Sequence, residues 1–316
     1  MAQTLIKRLV VAVPILFGMS VVVFAILRLV PGDPARAVLG LNATPDLVTQ
    51  MHRTYHLDEP IHVQYLLWVA GIVHGNFGVD YRSDQPITQL LLQALPVTLE
   101  LVILALPLAI ILAVPLGVLA AVRQSRPIDK VAQGLSLVGI SIPDFWLGIV
   151  LILVFSLMLG VFPSSGFTPF SQDPVQNLRD MLLPSLALAA GLAAVLIRVT
   201  RAAMLDVLRQ DFIRFIRAKG IKERHVIGRH ALRNAAIPIV TVIGMQAGYL
   251  VGGTIVVEQI FALPGIGNLL LNATLSRNYP IVQASVLILG VMFVLSNLVA
   301  DLLYIALNPR LRTTTE

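Results

Sequence analysis

Cysteine is absent from this 316-residue chain, so disulfides, thiolate metal ligands and thiol catalysis are excluded. Charge is scarce. Asp, Glu, Lys and Arg make up 13% of residues, about half the share typical of soluble domains. Aromatic residues are also sparse, at 6%. No Gly-Lys pair occurs, so the chain has no phosphate-cradling GxxxxGK[ST] loop. It also lacks a His-Glu-x-x-His zinc signature and a Gly-x-Ser-x-Gly nucleophile elbow, which removes the commonest motifs of a membrane-embedded hydrolase. There is no internal repeat of the kind that marks self-sufficient secondary transporters.

What the chain does contain is apolar sequence. Hydrophobic residues reach 57%, and the mean hydropathy is +0.84. Six apolar runs are predicted to span a membrane, at about Leu9–Val30, Pro96–Val122, Val131–Val161, Met181–Thr200, Ala236–Val257 and Ile281–Leu307. The first ends at Pro31-Gly32-Asp33-Pro34 with no small-x-small cleavage site, and reads as an uncleaved span. The third is too long for one straight crossing and is interrupted at Ser141-Ile142-Pro143-Asp144. Either its first part lies at the interface or the helix is kinked there.

The basic residues set the topology. Sixteen of the 23 Lys and Arg fall on the side holding both termini and the connections after the second and fourth spans. Five fall on the other side, and Arg28 and Arg198 lie inside spans. The excess predicts cytosolic termini and an external 31–95 loop. The net charge of +6 is therefore a topological signal and not a nucleic-acid footprint. The external loop carries turn signals, two short amphipathic helices near Pro45–Tyr55 and Pro60–Val73, and an acidic balance. Asp33, Asp80 and Asp84 are candidate docking points there for an extracytoplasmic solute-binding protein. Packing on the spans is the plainer role for this loop. His52 and His56 stand four apart, a spacing that can present two imidazoles to a metal. Surface histidines ordinarily bind nothing, and no metal site is assigned.

The longest basic, helix-prone stretch is Asp206–Pro238, between the fourth and fifth spans. Phe212, Phe215, Ile216 and the Lys219 stem share one helical face, with Ile213 alongside. Gly220 permits a tight bend, and Asn234 is predicted to cap the fifth span. Periodicity alone leaves two readings open: a basic loop lying on anionic lipid, or a protein-docking surface. Asp144 is the acid placed deepest in an apolar run. It either lines a water-filled route, or caps the helix that restarts after Pro143, or sits at the membrane interface. Glu100 and Arg28 are predicted to snorkel at span ends, and Asp301 to pair with Arg310.

Arg214–Gly220, continuing into Arg229-His230-Ala231-Leu232-Arg233-Asn234-Ala235, resembles the EAA-type loop of ABC importer permeases. The version is that of the dipeptide/oligopeptide/nickel permease family, B-type subunit. The resemblance covers almost the whole chain. It also rests on Pro31-Gly32-Asp33-Pro34, Pro96-Val97-Thr98-Leu99-Glu100, Ser141-Ile142-Pro143-Asp144-Phe145-Trp146-Leu147-Gly148, Glu258-Gln259-Ile260-Phe261, Pro264-Gly265-Ile266-Gly267, Tyr279-Pro280-Ile281-Val282-Gln283 and Asn308-Pro309-Arg310, in that order. The chain departs from the general pattern where Arg214-Phe215-Ile216 replaces Glu-Ala-Ala and where Arg233 replaces a proline.

The resemblance implies an all-α membrane protein of the type I ABC importer (MetI-like) fold. It implies a first span, an external scaffold region over 31–95, a five-span permease core over 96–307 with a cytosolic coupling loop at 201–235, and a short tail. It places Arg214, Phe215, Ile216, Ala218, Gly220, His230 and Leu232 against a cytosolic ATPase, and Ser141, Pro143 and Asp144 along the translocation path. The implied partners are a second homologous permease, two ABC ATPases that bind ATP and Mg, and an external binding protein. The implied cargo is a di- or oligopeptide, with a nickel chelate or glutathione as the alternative within the family.

Overall fold

The computed structural model describes residues 2–29, 33, 35–36, 43–54 and 57–307. Among them there is no strand, only an isolated antiparallel bridge between Val79 and Pro86. The helices are α1 (Ala2–Leu29), α2 (Pro45–Thr54), α3 (Ile61–Val73), α4 (Ile87–Val122), α5 (Pro127–Ser141), α6 (Asp144–Leu151, continuing as a π-helix to Met158), α7 (Pro174–Leu208), α8 (Asp211–Ala218), α9 (Glu223–Ile260), α10 (Ile266–Leu275) and α11 (Tyr279–Leu307). By length and composition α4, α7, α9 and α11 can each cross a membrane, and the bent pair α5–α6 has the apolar length of a fifth, as a broken span or a re-entrant loop. The sixth apolar run lies in α1, at Val10–Ala25.

The chain divides into two compact units, and each mixes distant stretches of sequence. The first is built on Leu99–Leu263 with the segment from Phe293 onward. Its centre is α7, the most buried of the spans. Small residues let the neighbours of α7 approach closely, as expected where lipid offers no hydrophobic driving force between helices. A Cβ added to Gly117 of α4 would stand 2.7 Å from the Thr200 Cβ. One added to Gly139 of α5 would stand 2.8 Å from the Ala194 Cβ. The Ser136 hydroxyl donates to the Ala194 carbonyl at 2.6 Å in the same contact. The fork of Arg201 meets Asp129 at 2.5 and 2.9 Å, while Asp129 also accepts from the Ser125 amide and the Gln133 side chain.

The break in the third apolar run is sharp: α5 and α6 meet at 106°. The cause is local. Pro143 drives the residue before it out of the helical region, and Ile142 sits at φ −87, ψ 125. The helix then restarts with the Leu147 amide donating to the Pro143 carbonyl.

The second unit comprises Ile6–Thr98 and Pro264–Met292. Its core holds Ile87, Leu91 and Ala94 of α4 against Ile266, Ala273, Ile281 and Ala284. The Thr98 hydroxyl accepts from the Ile266 amide at 2.8 Å, satisfying one of the free donors at the start of α10. Two of the stretches that carry the family resemblance, Pro96–Glu100 and Pro264–Gly267, are thus joined by that bond. Elsewhere in this unit the Tyr65 and Trp68 rings of α3 pack on Phe24 of α1. α2 and α3 fall where the sequence placed them.

Three expectations need correction. The helix that holds the second span starts at Ile87, nine residues before Pro96, and runs on through that proline. Glu100 consequently lies within α4, the fourteenth of its residues, and not at the start of the helix. Asn234 caps nothing. It sits within continuous helix, where its amide donates to the His230 carbonyl at 2.7 Å, and the helix begins at Glu223. Arg28, Asp301, Arg310, His56 and the Pro31-Gly32 turn fall outside the described residues or side chains.

Candidate functional site

The basic stretch after α7 folds into a small hairpin. α8 is eight residues long, starts after Gln210 in extended conformation, and carries Asp211 in its first turn. Its C-terminal end is closed by a left-handed residue. Gly220 has φ +78, and its amide donates to the Arg217 carbonyl. Arg217 reaches across the turn to Glu223 with two bonds, at 2.6 and 3.1 Å. Both partners are well exposed, so the pair is worth at most about 1 kcal/mol and mainly fixes the turn geometry.

Ile213 is fully buried, as are Val226 and Ala231 in the π-helical start of α9. The face of α8 that packs on its own chain is therefore the Ile213 face. Phe212 and Phe215 point outward, at 36% and 61% exposure, and Ile216 is half-buried between. Periodicity grouped Phe212, Phe215 and Ile216 correctly, but it did not indicate which apolar side turns inward. The Lys219 ammonium lies 4.4 Å from the centre of the Phe215 ring, and Arg214, Arg217 and Ala218 are exposed around it. His230 and Leu232 lie half-buried at the start of α9. An added Cβ at Gly220 would touch nothing in this chain, so the glycine answers a backbone need here. Two exposed aromatic rings with a basic rim, outside the apolar spans, form a patch that suits either a protein partner or anionic lipid headgroups.

The second candidate lies in the same unit, at the α5–α6 break. Pro143 occupies the N-cap position, Asp144 is the first residue of α6, and the Asp144 side chain takes no bond from a free amide among the described residues. The capping role is thereby excluded. Its carboxylate has no hydrogen-bond or ion-pair partner among the described residues. It opens on a groove of about 340 Å³ walled by α5, α7 and α9. Ser141 stays outside the groove lining and donates to its own helix at Leu137, whereas Pro143 is part of the wall. Sequence reading missed the opposite wall. Gln246, Tyr249 and Gly253 recur at helical spacing along α9, and Leu188, Gly191, Leu192 and Val195 along α7. Two polar residues aligned on one face of an apolar run were the available signal.

Of the acids proposed for external docking, two are committed within the second unit. Asp33 accepts from the Ala35 amide at 2.9 Å and meets His52 Nε2 at 2.9 Å, while His52 Nδ1 meets Asp58 at 2.7 Å. These contacts from Asp58 and Asp33 hold the imidazole above its ordinary pKa. With both ring nitrogens engaged by carboxylates, His52 is not presented to a metal, and no metal-holding group of three ligands occurs among the described residues. Asp80 accepts from the Ser83 hydroxyl, the Arg82 amide and the Asn278 side chain. Burial raises the Asp80 pKa, but these donors outweigh it and leave the group below the usual carboxylate range. Asp84, at φ +54 in the turn between Asp80 and Pro86, is exposed and makes no side-chain bond among the described residues.

The family model described as binding-protein-dependent transport system inner membrane component matches residues 113–313. That for the N-terminal part of such membrane components matches residues 1–102. A putative peptide transport system permease protein of Brucella abortus (strain 2308) is 39% identical over 312 residues, covering 99% of each chain. The glutathione transport system permease protein GsiC of Escherichia coli (strain K12) is 40% identical over 312 residues, again covering 99% of each. Among solved structures, a chain of the inward-facing MetNI methionine ABC transporter superposes with a TM-score of 0.59 at 19% identity. It covers 71% of this chain and 99% of its own length. At that identity the likeness is one of fold.

Proposed function

This chain belongs to the family of binding-protein-dependent transport system inner-membrane components, and from that premise we propose how it works and what it carries. It is a multi-pass inner-membrane permease subunit of an ABC importer, with the type I importer fold. Its cargo, in our reading, is a di- or oligopeptide delivered by an extracytoplasmic binding protein, and the path runs between this chain and a second, homologous permease. The names carried by full-length relatives, peptide and glutathione permeases, support that cargo class. Both termini and the α8 hairpin face the cytosol, in keeping with the excess of Lys and Arg on that side. The energy comes from two partner ATPases, which hold the ATP and Mg.

The observation that carries this reading is the exposed Phe212–Phe215 pair beside the Gly220 turn. Ile213 ties α8 to the membrane helices through the start of α9. An ATPase that grips the two phenylalanines therefore moves α9, and through α9 the groove that contains Asp144. The test is ATP-driven tripeptide uptake into proteoliposomes holding both permeases and the ATPases, with binding protein outside. Phe212→Ser/Phe215→Ser should weaken ATPase association by at least about tenfold and stop uptake, as expected for aromatic anchors at an interface centre. Full uptake by that variant, or accumulation against a gradient by this chain alone, would refute the proposal.

A further inference from the structure

A carboxylate at membrane depth ordinarily faces a cation or a water-filled path. Asp144 has no cationic partner among the described residues. No Lys, Arg or His lines its groove, and its oxygens make no bond among the described residues. Its surroundings are built to keep those oxygens clear. A Cβ on Gly191 of α7 would stand 3.1 Å from Oδ1, and one on Gly253 of α9 would stand 3.8 Å from Oδ2. Each oxygen thus looks across at a bare glycine on a different helix. The carboxylate also sits at the first turn of α6, where the free amides of a helix start favour negative charge.

The rest of the groove supplies acceptors. The Gln246 amide and the Tyr249 hydroxyl lie on the α9 face that carries Gly253, and neither has a hydrogen-bond partner among the described residues. Three polar groups without a hydrogen-bond partner among the described residues line an otherwise aliphatic groove of about 340 Å³, a composition suited to a small-ligand site. A charge of one sign with no internal counter-charge selects a ligand of the other.

We infer that Asp144 receives a primary ammonium, the free N-terminus of the peptide passing through the groove, with Gln246 and Tyr249 contacting the first peptide unit behind it. This inference rests on the peptide reading of the cargo. The alternative source of a cation is a Lys or Arg side chain of the second permease, and the experiment separates the two.

The measurement is equilibrium binding of two radiolabelled probes to the complete importer in lipid nanodiscs. One probe is trialanine amide, which bears the ammonium, and the other is its N-acetyl derivative, which does not. The wild type should bind the free amine roughly tenfold or more tightly, the scale of a charge-assisted hydrogen bond. Asp144→Asn should erase the difference, and Asp144→Glu should keep a preference for the amine. Because Asp144 makes no side-chain bond among the described residues, neither variant removes a contact seen to hold them together. Equal binding of the two probes by wild type, or discrimination that survives in Asp144→Asn, would overturn the inference. So would loss of the second permease from the Asp144→Asn complex without probe discrimination in wild type, which would assign the acid to the subunit interface. Trialanine uptake is followed in the same preparation. Uptake without amine discrimination overturns the inference alone, whereas absence of uptake for any peptide overturns the cargo reading with it.

Discussion

Gly220 offers a way to separate a backbone requirement from a docking requirement. Its φ of +78 lies in the left-handed region, where a residue with a Cβ costs roughly 1–2 kcal/mol more than glycine. A Cβ built there meets nothing within 4 Å, so Gly220→Ala carries that backbone cost and no steric cost inside this chain. A cost of that size shifts the local turn equilibrium by about 5- to 30-fold. The turn is also braced by the Arg217–Glu223 fork and by buried Ile213, so α8 should remain seated. Gly220→Asn, which tolerates this conformation, should behave almost as wild type. Gly220→Trp carries the alanine cost and adds a large ring on a surface that only a partner would cover. Binding-protein-dependent uptake and substrate-stimulated ATP hydrolysis should therefore fall together and completely in the tryptophan variant. They should be reduced in alanine and near normal in asparagine, with membrane insertion unchanged in all three. Normal uptake by Gly220→Trp would refute the docking surface. Equal impairment of alanine and tryptophan would put the whole effect in the backbone and refute it as well.

Two further predictions concern polar contacts within the units. Arg201→Met strands the nearly fully buried Asp129 with only the Ser125 and Gln133 donors, and should destabilise the chain by about 3–5 kcal/mol. Asp129→Asn/Arg201→Met should recover most of that loss in denaturant titration of the detergent-solubilised protein, and a single-variant cost under about 1 kcal/mol would contradict the role given to the pair. His52 should titrate above the ordinary imidazole value of about 6.5 when followed by NMR. Its contribution is fully present below that ordinary value and is lost as pH rises through the elevated one. Asp58→Asn should bring the titration back down, and an unshifted His52 in wild type would show that the Asp58 and Asp33 contacts do not form in solution.

Much of this was legible in the sequence, because the bilayer imposes long apolar runs and places charge outside them. All six runs return as helices, and Pro143 alone foretold the break. The errors have local causes. Pro96 opens the predicted second span, yet α4 begins before it and passes through it, since prolines in membrane helices are tolerated where neighbours absorb the freed carbonyl. Asn234 resembled a cap because the π-helical stretch before it hid the continuity of α9. On α8, Ile213 and Phe212 are adjacent in sequence and point about 100° apart, so periodicity named the apolar residues without deciding which side packs inward. The groove was the least visible feature. Asp144 stood out as a charge in grease, but its walls come from three helices. The glycines that frame it, Gly191 and Gly253, acquire meaning only once α7 and α9 stand opposite it.

The interleaving of the two units bears on how the protein is made. The second unit needs Ile87, Leu91 and Ala94 to meet Ile266, Ala273, Ile281 and Ala284, and Thr98 to cap α10. Those pieces are separated by the whole stretch from Leu99 to Leu263. At a ribosomal pace of about 5–20 residues per second, the early segment waits for on the order of ten to thirty seconds after emerging before its complement exists. During that interval the core side chains of α4 have only lipid or an insertion chaperone for company. A chain released after Leu263 would leave them so permanently, and quality-control proteolysis would be its expected fate.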